Sequence, residues 1–164
     1  MQEVTIRIRF TSPCIGFSKK TQGKDVVFCM PRDGQGHVMF LTSWWRDRMQ
    51  YAAKVANKCY ADVGQIDWGT RVDGRLERWR RNIVQAGKPS RRNRYALHEA
   101  FRPGAEIGIT AVLPASIILN DFIELLGVIG TYKGMSPYQS QQETYGTFDV
   151  LSVMPTIRRK DTGV

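Results

Sequence analysis

The sequence predicts an α+β fold in which two main helices pack on one face of an antiparallel or mixed sheet, with an irregular basic insert. Three observations predict it. Val4, Ile6, Ile8 and Phe10 alternate with Thr5, Arg7 and Arg9, the period of a half-buried strand. Two later segments carry apolar residues at helical spacing, one through Trp45, Met49, Ala52, Ala53 and Ala56, the other through Ile118, Phe122, Leu125, Leu126 and Ile129. Strand-like runs flank each of them, so two units have a strand–helix–strand look.

In chain order, residues 4–10 form the first strand. Residues 25–31 and 37–41 are two further apolar runs. Arg32-Asp33-Gly34-Gln35-Gly36 between them supplies glycines for a hairpin turn with positive φ. The second run leads into Thr42-Ser43-Trp44-Trp45-Arg46, where Thr42 or Ser43 caps the first helix. That helix turns Arg46, Asp47, Gln50 and Lys54 outward and ends near Asn57 or Lys58. Trp45 lies on its apolar stripe, while Trp44 is exposed or braces the hairpin. Residues 64–103 are the least regular: 65–73 reads as a short strand around Trp68, 74–84 as a short basic helix, and 86–94 as an exposed loop.

Residues 105–113 alternate again, Ile107, Ile109, Ala111 and Leu113 against Glu106, Gly108 and Thr110. Pro114 and Ser116 mark the start of the second helix, and Gly130 stands where a left-handed C-cap belongs. Residues 145–153 are the last strand. The domain spans 1–154, and 155–164, with Arg158, Arg159 and Lys160, is a mobile basic tail. A ferredoxin-like sandwich is the simplest arrangement of this order; an elaborated α+β fold without that topology is the rival.

Of the 164 residues, 42% are hydrophobic and 24% charged, which is the make-up of a globular domain and not of a disordered tail. No stretch approaches ~18 uninterrupted apolar residues, so no membrane partner is expected. The opening Met1-Gln2-Glu3-Val4-Thr5 lacks the basic and apolar regions of a secretion signal. A cytoplasmic location is expected, the host's cytoplasm if the chain is viral. Cys14, Cys29 and Cys59 show no redox or zinc-ligating spacing with one another or with His37 and His98. Free thiols, no metal and no cofactor are therefore expected. Neither a P-loop nor a G-x-G-x-x-G stretch after a strand is present.

Residues 71–102 hold nine arginines and one lysine against Asp73, Glu77 and Glu99, so they carry +7 of the chain's +9. Trp79, Tyr95 and Phe101 are threaded through them. Guanidinium forks grip phosphate oxygens in pairs, and aromatic faces stack on exposed bases. Arg75, Arg78, Arg80, Arg81, Arg91, Arg92 and Arg94 are the candidate phosphate ligands, and Tyr95 is a candidate stacking face. A solvated charged face is the plain alternative. Trp79 either stacks or anchors the segment to the core, and Arg7 and Arg9 read as the wet side of a strand or as part of a basic sheet face.

The second half adds a helix ending in glycine, the loop Thr131-Tyr132-Lys133-Gly134-Met135-Ser136-Pro137, and Tyr145-Gly146-Thr147-Phe148 entering a strand. Gly130, Gly134 and Gly146 allow close approach of a ligand to backbone amides. Lys133 adds a point charge, and Tyr132, Tyr138 and Tyr145 offer stacking faces. Tyr132, Lys133 and Gly134 complete the candidate site.

Gly130, Lys133, Gly134 and Tyr145-Gly146-Thr147-Phe148, with the opening Ile6-Arg7-Ile8-Arg9-Phe10-Thr11-Ser12-Pro13, resemble the repeat-associated (RAMP) RNA-binding proteins of CRISPR effector complexes. The resemblance covers the two ends of the chain. It implies a ferredoxin-like core with a glycine-rich loop between the last helix and last strand, and RNA as partner. This chain departs from the pattern in the polar loop 139–144 between its glycines, and residues 71–102 lie outside the pattern. Some members cleave RNA with a histidine, but neither His37 nor His98 falls in a motif that carries this over.

A nucleic-acid-binding protein of phage or mobile-element style, holding single-stranded nucleic acid or structured RNA, is the leading expectation. The alternative is an inhibitor or assembly subunit, homo-oligomers included, that docks its basic surface on an acidic protein partner. A metal-independent ribonuclease using a lone histidine is the third reading, and binding is favoured over catalysis.

Overall fold

The computed structural model describes residues 1–58, 60–83 and 94–156. β1 (Gln2–Phe10), β2 (Cys14–Ile15), β3 (Ser18–Gln22) and β4 (Asp25–Cys29) precede α1 (Thr42–Val55) and the single turn α2 (Tyr60–Val63). β5 (Asp67–Trp68), β6 (Glu77–Ile83), β7 (Arg94–Phe101) and β8 (Glu106–Leu113) follow, and then α3 (Leu119–Val128) and β9 (Phe148–Pro155).

β1–α1–β5 and β8–α3–β9 are the two strand–helix–strand units. Their strands interleave in the order β5-β8-β1-β9, antiparallel throughout. This is the ferredoxin-like arrangement. The alternation of β1 decides its buried face: Val4, Ile6, Ile8 and Phe10 join Trp45, Met49, Ala52 and Ala53 of α1 and Phe122, Leu125 and Leu126 of α3 in one core. Trp45 stacks on Trp68 with ring centroids 4.2 Å apart and planes 2° from parallel. On the other side of β1, Arg7 and Arg9 meet Asp73 and Glu106 at 3.5 Å each.

Two insertions build a second sheet. Residues 14–29 lie between β1 and α1, and residues 77–101 between β5 and β8. β7 is the shared strand: it pairs with β6 from Glu77↔Ala100 to Ile83↔Arg94 on one side. On the other side it meets β2 antiparallel and β4 in parallel. The segment expected as a short basic helix over 74–84 is therefore largely a strand. Hydrogen bonds to β7 override the local helical pattern, and among the described residues the insert is a pair of antiparallel strands.

Other expectations also shift. Residues 31–33 do meet 37–39 through a tight turn, with Met39 N–H donating to the Pro31 carbonyl at 3.0 Å and Gly36 at φ 85°, but the strand hairpin of residues 25–29 is with β3. The two-residue turn Gly23-Lys24 closes that hairpin with Gly23 at φ 63°, a turn that favours glycine first. Residues 37–41 make only isolated bridges, Arg32↔Val38 and Met39↔Arg71. The N-cap positions fall at Leu41 and Ile118, neither with a side-chain cap, so Thr42, Ser43 and Ser116 do not cap. Trp44 is half-buried against Phe40, and Ile118 is exposed at the end of its stripe.

Gly130 does not end the second helix. The chain continues through a π-helical turn, Ile129–Lys133, and the left-handed residue is Gly134. Gly130 is needed for space, because a Cβ there would fall on the Phe148 carbonyl. The last strand begins at Phe148 and runs to Pro155, and the Thr156 N–H still donates to Glu3. Cys14 and Cys29 are buried free thiols; Cys59, Arg158, Arg159 and Lys160 lie outside the described residues. No helix among those described is long and apolar enough to cross a membrane.

Candidate nucleic-acid interface

Side chains alternate along the β6–β7 hairpin, so Arg78 and Arg80 share one face with Tyr95, and Arg81 and Arg94 lie on the other with Trp79 and His98. Arg75, just before β6, and Arg94, at the start of β7, are exposed and make no ion pair among the described residues. Arg80 lies over the exposed Tyr95 ring, 3.9 Å from its centroid. A guanidinium over a ring presents a flat cationic face. Arg78 bonds Asp25 at 3.1 Å and Gln22 at 3.2 Å. That ion pair is half exposed, and such pairs contribute only ~0–1 kcal/mol, so a phosphate competes easily for Arg78. Arg102 holds Glu77 at 3.1 Å. Arg91 and Arg92 lie outside the described residues.

Arg81 differs from its neighbours. It is half-buried, and its Nε donates to Nε2 of His98 at 3.0 Å, while its guanidinium carbon sits 4.4 Å from the Tyr138 ring centroid. The Nδ1–H of His98 donates to the Gly16 carbonyl at 2.6 Å, which sets the tautomer that leaves Nε2 free to accept. His98 is fully buried and stacked on Phe28. Burial is the largest influence on its pKa and lowers it; the Gly16 bond opposes, and the Arg81 guanidinium lowers it further. With both ring nitrogens engaged inside the protein, His98 has no nitrogen free for a general base. His37 turns back onto Asp33 of its own turn, 3.4 Å away.

Arg81 opens onto a groove of about 700 Å³ between β6 and the loop that leads to β9, lined by Trp79, Tyr138, Glu143 and Tyr145 among others. Trp79 and Tyr138 pack on the small cluster Ile15, Ala100 and Tyr145, so Trp79 anchors the hairpin as well as facing the groove. Burial, reinforced by the Glu143 carboxylate, pushes the Tyr145 hydroxyl up to about 12.

The glycine loop serves the protein itself. Gly134 N–H donates to Ile129, Gly146 N–H to Pro13, and Met135 N–H to the Gly146 carbonyl. Cβ atoms at Gly134 and Gly146 would collide with backbone of residues 145 and 136 respectively. The close approach expected for a ligand is thus made between the two glycine segments, whose amides are taken. What the turn exposes is Tyr132 and Lys133, the latter 4.4 Å over the Tyr51 ring. Gln139 bridges the loop, donating to Tyr145 at 2.7 Å and reaching Lys133 at 3.3 Å, so the lysine and the groove lie on either side of residues 138–140.

The sequence reading missed Arg48. Its Nε donates to Gly134 at 2.6 Å and its Nη2 to Ser136 at 3.0 Å, clamping the loop to α1. The signal was present: Arg48 falls between Trp45 and Met49 on the apolar stripe, where a cation is out of place.

No protein-family model and no curated protein matches the chain. A solved structure does: a chain in the cryo-EM structure of the Type III-B Cmr-beta bound to cognate target RNA superposes with a TM-score of 0.62 at 11% identity. The match covers 94% of this chain and spans 61% of that one. At that identity the likeness is one of fold, and it agrees with the RAMP-like resemblance at the level of architecture.

Proposed function

We propose that the protein binds RNA, single-stranded or structured, along the basic β6–β7 hairpin. The observation that carries this is the group Arg75, Arg80 and Arg94, cationic, exposed and without an acidic partner among the described residues, with Arg80 lying over the exposed ring of Tyr95. Arg78 joins them by exchanging Asp25 for phosphate, and Arg91 and Arg92 extend the same run in sequence. Arg81 contributes from the groove. Lys133 and Tyr132 add a second charge and a second ring on the turn that Gly134 shapes. The fold shared with a chain of an RNA-bound assembly supports RNA over DNA.

Titration with short RNA at several salt concentrations tests this. If about six phosphates are engaged, log affinity falls against log salt with a slope near about −4. A slope near zero, or unchanged affinity when Arg75, Arg80 and Arg94 become alanine, overturns the reading and turns attention to an acidic protein surface.

A further inference from the structure

The groove beside β6 has chemistry unlike the hairpin's outer surface. Arg81 and Glu143 are its charged residues, and their opposite signs leave the lining without net charge; the rest is aromatic or neutral: Trp79, Tyr138 and Tyr145 with a rim of hydroxyl and amide groups. A phosphate gains little there. Flat apolar walls with a few placed polar groups suit a nucleobase. Arg81 supplies the donor. Its Nε is held by His98, one face is covered by Tyr138, and its two Nη groups meet no protein acceptor among the described residues. A half-buried guanidinium with its outer edge unpaired is preorganised for a ligand that accepts two hydrogen bonds side by side.

We propose that this groove takes one unstacked base of a bound RNA strand, with the Nη edge of Arg81 donating to paired acceptors on the base and His98 acting as the positioning residue. Guanine, which offers O6 and N7 together, fits that edge; adenine offers N7 beside an amino donor and does not. The proposal deepens the RNA-binding reading and rests on it. It gives the surface two parts: a cationic outer strip for the backbone and a neutral groove that reads one base.

The test compares three short ligands of equal length: an adenosine RNA with one central guanosine, the all-adenosine RNA, and an abasic ribose-phosphate chain. The expected order is guanosine-containing first, adenosine next and abasic last, with base-containing RNA bound about tenfold more tightly than the abasic chain. Arg81→Lys, which keeps the charge and loses the fork, brings the guanosine and adenosine ligands to the same affinity. His98→Gln, which keeps an acceptor for Arg81, retains part of the guanosine preference, and His98→Leu abolishes it. Should His98→Leu fail to fold, Arg81→Lys still decides. Equal binding of all three ligands by the unmodified protein overturns the groove proposal and leaves the phosphate reading standing. Binding of none of them overturns both.

Discussion

Gly134 sits at φ 66° and ψ 175° with its α-carbon against the backbone of residues 145–147. That region of backbone space is essentially closed to other residues, at a cost of ~1–3 kcal/mol each before any collision. Gly134→Ala is therefore expected to lower stability by at least about that amount; a urea midpoint equal to the parent's would show that the segment relaxes freely. Arg48 makes the matching case for a polar group. Its guanidinium satisfies the carbonyls of Gly134, Ser136 and Trp44. Arg48→Met leaves those acceptors under half-buried cover, with an expected loss of ~1–3 kcal/mol, read by thermal or urea unfolding. Ser136 works alongside it, accepting from Ile15 N–H and donating to Ile15 carbonyl at 2.9 and 3.0 Å.

At the scale of the element, β7 is the hinge of the second sheet. Ala96, His98 and Ala100 turn inward, while Glu99 turns the other way to accept from Met30 and pair with Arg32. Holding a neutral histidine inside makes this strand sensitive to acid. The unfolded chain protonates His98 near the ordinary value of 6.5, the folded chain only at lower pH. The stability gained by keeping it neutral is present above 6.5 and is lost as pH falls through the folded value. His98→Asn retains a donor for Gly16 and removes the titrating ring. Its stability is expected to fall less steeply between about pH 7 and pH 5 than the parent's; parallel curves from urea unfolding would contradict this.

For the whole molecule, the division of labour follows the two sheets. The ferredoxin-like sheet and its helices carry the main core, and the second sheet carries most of the charge. Surface cations there can be removed with little structural cost. Arg75→Ala with Arg94→Ala is expected to leave stability within about 0.5 kcal/mol of the parent. The same change should make the salt slope for RNA shallower by about 1.4, near 0.7 for each phosphate no longer neutralised on a single strand. An unchanged slope would place both arginines off the binding surface.

Local periodicity is what the chain encodes on its own. β1 and β8 show period 2, and α1 and α3 show an apolar stripe, because a residue's face depends on its immediate neighbours. The density of arginine around Arg80 and Arg94, with Tyr95 beside them, was legible for the same reason: it is a property of one stretch of chain. β3, with all five residues exposed, has no apolar face to announce it, and β6 becomes a strand only because β7 lies beside it. β4 finds a parallel partner about seventy residues away, Val27 beside Leu97. It takes the assembled molecule to join Arg81 to His98, Gly16 and Tyr138, and to close the glycine segments on each other and on Arg48. Those groups come from separate elements, and hydrogen bonds between distant segments are satisfied only when the sheets come together.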